Sequence, residues 1–276
     1  MNKKNRINKY LIQAVLIIFA VFCIFPFYWM VLTALKSSNN VIEFPPKVYP
    51  TSFKFSNFAD VFRLMPMGQA YLNSIKVTLL ATFGTLFTSS LAAFAFAKMR
   101  FRFRGLLFGI LLGTMMIPGQ VTLIPLYIVF ARLGWIDTHL PLIVPTVLTN
   151  AYGVFMIRQF MINLPSDYVE AAKIDGCNYF RIYWQVMLPL CKPIIVTLGL
   201  FTFIWNWNNY LGALIFLNTD TKFTVPLIIS AFRGVYTVQW ELLMAASTVA
   251  ILPIIIMYLF SQKFFIQAVS LTGIKA

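Results

Sequence analysis

The sequence predicts an all-α membrane protein with six transmembrane helices and both termini in the cytoplasm, and three observations carry that reading. Hydrophobic residues make up 60% of the chain and charged ones 11%, far from the balance of a water-soluble domain. Apolar stretches of about eighteen residues or more recur, each long enough to cross the hydrocarbon core as a helix. They are continuous rather than alternating, which excludes a β-barrel. The basic residues, finally, sort by side of the membrane.

The helices are expected at about 11–35, 71–97, 105–131, 140–157, 193–217 and 242–262. The first follows the basic run Lys3–Lys9. It is longer than a signal-peptide core, and no small-residue cleavage pattern follows Phe25-Pro26-Phe27-Tyr28-Trp29, so it reads as a retained anchor. Pro45-Pro46 and Pro50 rule out one long helix between 36 and 70, where a short interfacial helix at Phe58–Leu64 is expected. Lys98-Met99-Arg100-Phe101-Arg102-Phe103-Arg104 is a basic turn between helices two and three, suited to anionic headgroups. Pro118 and Pro125 interrupt the third helix and Pro145 the fourth. Such interruptions are either simple kinks or marks of a transport path.

With these spans, fourteen of the 22 basic residues fall on one side: Lys3 to Lys9, Lys98 to Arg104, the 158–192 loop, Lys263 and Lys275. That side is cytoplasmic by the positive-inside rule. The net charge of +14 therefore orients the chain and calls for no nucleic acid. Cys23, Cys177 and Cys191 lack paired spacing and read as small apolar residues. His139 is the only histidine, which excludes a histidine metal or catalytic cluster. No Gly precedes a Lys, so there is no phosphate-binding P-loop. The predicted membrane interior holds no Asp or Glu, which argues against a carboxylate proton relay.

The loop at about 158–192 holds all three cytoplasmic acids, Asp167, Glu170 and Asp175. Asp167 and Glu170 have capping-box spacing. A short helix through Ala171-Ala172-Lys173 should stop at Asp175-Gly176, where glycine supplies a left-handed residue. A second helix, from about Asn178 to Leu188, should bury one face made of Phe180, Tyr183, Trp184 and Met187. A helix pair lying on the membrane would explain that aromatic face but not the acidic, alanine-bearing first helix.

Asp167-Tyr168-Val169-Glu170-Ala171-Ala172-Lys173-Ile174-Asp175-Gly176, followed by Phe180, Leu188-Pro189 and Pro193, resembles the EAA loop of ABC importer permeases, especially the maltose and multiple-sugar type. The likeness runs the length of the chain, through Asn73-Ser74, Ile117-Pro118, Trp205-Asn206, Phe260-Ser261-Gln262-Lys263 and Gly273-Ile274-Lys275. It departs at the Gly-Ile-Lys-Ala ending. The resemblance implies a type I importer permease fold in which the first loop helix docks into a cleft on an ATP-hydrolysing subunit. Glu170 would be the charged contact, Ala171 and Ala172 the close-packing surface and Gly176 the turn, with Asp175 also among the coupling residues. ATP and Mg would be used by that partner, with no cofactor in this chain. The implied partners are two ATPase subunits, a second related permease and an extracytoplasmic solute-binding protein, in a bacterial plasma membrane.

Trp205-Asn206-Trp207-Asn208-Asn209-Tyr210 lies near mid-membrane if helix five starts at Pro193. Rings can stack on sugars and amides can bond their hydroxyls. The i, i+4 pairs Trp205/Asn209 and Asn206/Tyr210 are candidates to face a pore, with Gln120, Asn150 and Tyr152 as further candidates. The bland alternative is an aromatic belt with interhelix hydrogen bonds. The expected function is translocation of a sugar or oligosaccharide, with a sugar phosphate or polyol as alternative cargo. A membrane-embedded enzyme is disfavoured because it would need acids, a histidine or a nucleophile pair at depth. A secondary carrier is a third alternative.

Overall fold

The computed structural model describes residues 3–49, 52–148, 150–232 and 238–273. Arg233 and the Ile274-Lys275 ending lie outside them. All regular elements among the described residues are helical. They are α1 (Lys3–Ala34), α2 (Ser56–Leu64), α3 (Met67–Lys98), α4 (Arg104–Thr114), α5 (Gly119–Arg132), α6 (Leu140–Leu148), α7 (Ala151–Ile162), α8 (Asp167–Ile174), α9 (Tyr179–Leu190), α10 (Lys192–Trp207), α11 (Tyr210–Phe216), α12 (Val225–Ala231) and α13 (Trp240–Gly273), with single turns at Ser38–Val41 and Asp220–Lys222.

Among the described residues four spans are long and apolar enough to cross a membrane: Asn8–Ala34, Met67–Lys98, Leu140–Ile162 and Trp240–Phe264. Two bent pairs, α4 with α5 at 94° and α9 with α10 at 79°, bring the number to as many as six. The expected third helix is therefore two. Ile117, as the residue before a proline, is pushed out of the α region. The chain leaves α4 through tight turns at Met115 to Ile117 and restarts after Pro118 in extended geometry at φ −60°, ψ 131°. The expected fifth helix, 193–217, also divides: α10 ends at Trp207 and α11 starts at Tyr210. No proline marks this second break. The fourth span runs on to Ile162, past the expected 157, and a short helix, α2, forms where an interfacial one is expected.

The chain forms two contact units, 1–67 with 228–252, and 68–227 with 253–276. In the first, α1 exposes apolar side chains on every face from Tyr10 to Tyr28, as a helix in lipid does. Its C-terminus is held by buried Asn57, whose Nδ2 donates to Ala34 O at 2.8 Å and Lys36 O at 2.9 Å. The first is a carbonyl that a helix end leaves without an intrahelical donor, and the second lies two residues past that end. The Ser38 hydroxyl bonds the Glu241 carboxylate at the start of α13.

In the second unit, one apolar cluster gathers Phe94, Ile157, Met161, Val169, Ala172 and Tyr183 with their neighbours. It joins α3, α7, α8 and α9 into one packed body. A second cluster gathers Val77, Phe130, Leu142, Phe216 and Leu227. The basic turn between α3 and α4 places Phe103 at φ 62°. Beside it, Lys98 Nζ donates to Leu164 O at 2.7 Å, and the Arg158 guanidinium lies 4.0 Å over the Phe108 ring. Lys98 thus ties the end of α3 to the loop that follows α7, and Arg158 ties α7 to α4.

Candidate functional site

The loop after α7 is built from its stop signals. Gly176 sits at φ +77°, a conformation that costs a side-chain-bearing residue about 1–2 kcal/mol. Gly176 N–H donates to Lys173 O and Cys177 N–H to Ala172 O, each at 3.0 Å. This is the Schellman motif that glycine at that position allows. The expected capping box does not form. Asp167 is the first helical residue rather than the cap, and Val169 and Glu170 N–H groups turn back to the Ser166 carbonyl instead. The two acids still sit in the first turn of α8, where the helix dipole favours them.

Glu170, Ala171, Asp175 and Gly176 are exposed, whereas Ala172 is buried beside Val169 in the chain's own apolar cluster. Residues 169 and 172 share a helix face. The alanine pair thus splits, with Ala171 outward and Ala172 seated on the body of the protein.

The helix after Gly176 starts at Asn178, whose Oδ1 accepts the Arg181 N–H at 2.9 Å. It then makes a π-helical turn over Ile182–Met187. One extra residue per turn brings positions five apart onto a common face. Ile182, Tyr183 and Met187 are therefore buried, while Phe180 is 66% and Trp184 53% exposed. The predicted face keeps Tyr183 and Met187 and loses the other two. The buried Tyr183 hydroxyl lies 2.8 Å from Ser90 Oγ in α3.

The second candidate region is a pair of cavities, of about 870 and 350 Å³. The larger takes Gln120 from α5, and Trp205, Asn209 and Tyr210 from the break between α10 and α11. The smaller takes Asn150, Tyr152, Trp205 and Asn206. All the path candidates line one or the other, but the expected pairings change. Asn209 lies beyond the end of α10, so it meets Trp205 through the break rather than along a helix face. Asn206 and Tyr210 line different cavities.

Thr146, Phe201 and Asn208 also line the cavities and were not singled out in sequence. Asn208 was detectable, because it follows Trp205 by three residues. Thr146, next to Pro145 on another helix, carried no local signal.

The gaps between α6 and α7 and between α10 and α11 share one device. Asn150 Oδ1 accepts the Gly153 N–H at 2.6 Å, and Asn209 Oδ1 accepts the Gly212 N–H at 3.0 Å. Asn150 has φ −82°, ψ 77° and Asn209 φ −74°, ψ 77°. Each asparagine thus caps the helix that restarts behind it.

A loop knot lies between α5 and α6. Asp137, at φ 58°, accepts the N–H groups of Asn218 and Thr219 and an ion pair from Lys222 Nζ at 2.8 Å. The Lys222 bond, then those from Thr219 and Asn218, hold the Asp137 carboxyl well below the usual carboxylate range. Among the described residues no group of three His, Cys, Asp or Glu side chains is placed to hold a metal.

Comparison with known proteins places these features in a family context. Residues 84–271 match the family model described as binding-protein-dependent transport system inner membrane component. The arabinooligosaccharides transport system permease protein AraQ of Bacillus subtilis is 32% identical over 262 residues, covering 91% of this chain and 90% of that one. The lactose transport system permease protein LacG of Rhizobium radiobacter is 29% identical, covering 96% of both chains. A chain from the crystal structure of a bacterial ABC transporter that imports the acidic polysaccharide alginate superposes with a TM-score of 0.83. That match is at 24% identity and covers 96% of this chain and 99% of that one, and it shows the shared fold.

Proposed function

Because the chain belongs to the binding-protein-dependent transport system inner membrane component family, we propose that it is the permease subunit of an ATP-driven importer for a sugar or oligosaccharide. The observation that carries this reading is α8. It presents Glu170 and Ala171 outward, stops at Gly176, and is seated through Val169 and Ala172 on the same apolar body as α3 and α7. A short helix held in this way moves as one piece with the transmembrane helices beneath it.

In this reading α8 occupies a cleft on an ATPase subunit in the cytoplasm. Glu170 meets a basic residue there, Ala171 allows close approach, and Asp175-Gly176 sets the exit. ATP, with Mg, is hydrolysed in the partner and not in this chain. Closure of two ATPase subunits draws two such loops together and swings the helices from inward-open to outward-open. The assembly contains a second related permease and an extracytoplasmic solute-binding protein. It lies in a bacterial plasma membrane with both termini of this chain cytoplasmic. The sugar assignment draws support from the relatives named for arabinooligosaccharide and lactose transport and from the amide and aromatic lining of the two cavities. Sugar-phosphate cargo fits less well, since among the described residues no Lys, Arg or His lines either cavity. No Asp or Glu among the described residues lines them either, which disfavours a secondary carrier.

The test is uptake by cells carrying the chain with its ATPase, mate permease and receptor. Glu170→Lys and Gly176→Pro are expected to abolish ATP-dependent uptake while leaving membrane insertion intact. Normal uptake in both variants would sink the coupling assignment.

A further inference from the structure

The two cavities share only three lining residues, Thr146, Phe201 and Trp205. Trp205 stands between them with 78% of its surface exposed, while its neighbours Asn206 and Trp207 are buried. The indole is thus open to both cavities.

The amides around it are fixed in orientation by their backbone partners. A backbone N–H can only donate and a carbonyl can only accept. In the smaller cavity, Asn206 Nδ2 donates to Thr202 O at 2.8 Å, which turns Oδ1 away as a free acceptor. Asn150 Oδ1 accepts from Gly153, which leaves its Nδ2 as a donor. In the larger cavity, Asn208 Nδ2 donates to Ile204 O at 2.9 Å, leaving Oδ1 as an acceptor. Asn209 Oδ1 accepts from Gly212, leaving Nδ2 as a donor. Each cavity thus holds one locked amide acceptor and one locked amide donor beside the same indole.

We propose that these are two matched saccharide subsites divided by Trp205, and that they select uncharged sugars of two or more rings over uronate-containing ones. The proposal rests on the importer reading above and narrows its substrate class. A vicinal diol both donates and accepts, so it satisfies a donor–acceptor pair. A carboxylate only accepts. It would set its charge against Asn206 Oδ1 or Asn208 Oδ1, with no cation among the described residues that line either cavity. The apolar face of a pyranose stacks on the indole from either side. A chain of two rings therefore advances by exchanging one donor–acceptor pair for its twin.

The experiment uses the complete importer in proteoliposomes, with lactose, maltose and arabinotriose as uncharged probes and digalacturonate as the acidic one. Wild-type protein is expected to take up at least one uncharged probe, and digalacturonate at about a tenth of that rate or less. Asn208→Leu, at an exposed position, and Asn206→Leu, at a buried one, are each expected to raise KM about tenfold. Trp205→Ala should do the same; Trp205→Phe, which keeps an aromatic face, should restore most of the loss, and Trp205→Leu, which fills space without one, should not. Digalacturonate uptake equal to that of the uncharged sugars would overturn the proposal, as would an unchanged KM in Asn208→Leu. Failure of the wild type to take up any probe with ATP would instead strike the sugar-importer reading itself.

Discussion

The Tyr183 hydroxyl meets Ser90 Oγ at 2.8 Å inside an otherwise apolar cluster, and this bond fastens the loop after α7 to the middle of α3. Ser90 Oγ also donates to Phe87 O at 3.1 Å, so the tyrosine is the donor in the pair. The two ends of the bond are therefore unequal. Tyr183→Phe leaves Ser90 with its carbonyl partner and is expected to cost about 1 kcal/mol. Ser90→Ala strands a buried phenol and should cost more, about 1–3 kcal/mol. Thermal unfolding of the purified variants should rank Ser90→Ala below Tyr183→Phe, with the double variant close to Tyr183→Phe alone. The reverse order would mean that the bond is not made as described.

Gly176 isolates backbone strain from crowding. A Cβ built there meets nothing within 4 Å, yet φ is +77°. Gly176→Ala should therefore cost about 1 kcal/mol from conformation alone, and Gly176→Asn less, because asparagine tolerates the left-handed region. Unfolding midpoints would check the order wild type, Asn, Ala, and a fully neutral Gly176→Ala would contradict the assigned stop.

What was legible in the sequence followed from chain chemistry that acts locally. Continuous apolar stretches marked the spans, Pro118 marked where the third helix is disturbed though not that it divides, and Gly176 marked the end of α8. The break after Trp207 was hidden because it depends on Asn209 bonding forward to Gly212, and Asn-Tyr-Leu-Gly has no strong breaker before it. The π-helical turn was hidden for a related reason. Phe180, Tyr183, Trp184 and Met187 fit an ordinary helix face, and only packing against α3 and α7 brings Ile182 in place of the exposed aromatics. In the site, residue type pointed to Asn206 and Asn209, but Thr146 enters from a helix sixty residues away in sequence.

The paired caps give a contrast to Gly176. A Cβ at Gly153 would lie 2.7 Å from Ser89 Oγ and 2.9 Å from Asn150 Oδ1, and one at Gly212 would lie 2.8 Å from both amide atoms of Asn209. Alanine at either site must displace the asparagine that caps the helix, a loss of about 1 kcal/mol before any strain is counted. Gly153→Ala, crowded also by Leu198 at 3.0 Å, should be the more destabilising. Gly212→Ala should reproduce the uptake defect of Asn209→Ala, since both remove the same amide from the larger cavity. Uptake kinetics of the two variants, measured at matched membrane levels, would separate if the cap were unimportant.

Asp137 supplies the pH dependence. Its carboxyl is held below the usual range chiefly by Lys222, with Thr219 and Asn218 adding to the effect. A carboxylate whose folded pKa is depressed contributes stability that is fully present above its unfolded pKa, near 3.8. That contribution is lost as pH falls below the unfolded value toward the folded one. The unfolding midpoint of wild-type protein should therefore fall further between neutral and strongly acidic pH than that of Asp137→Asn, which keeps the shape but never ionises. At neutral pH the variant should be the less stable, and the two should converge as the medium becomes acidic. Because the pair is exposed to solvent, raising the salt concentration at neutral pH should narrow the same gap. Parallel midpoint curves for wild type and Asp137→Asn would remove the Asp137–Lys222 pair from any account of how this loop is held.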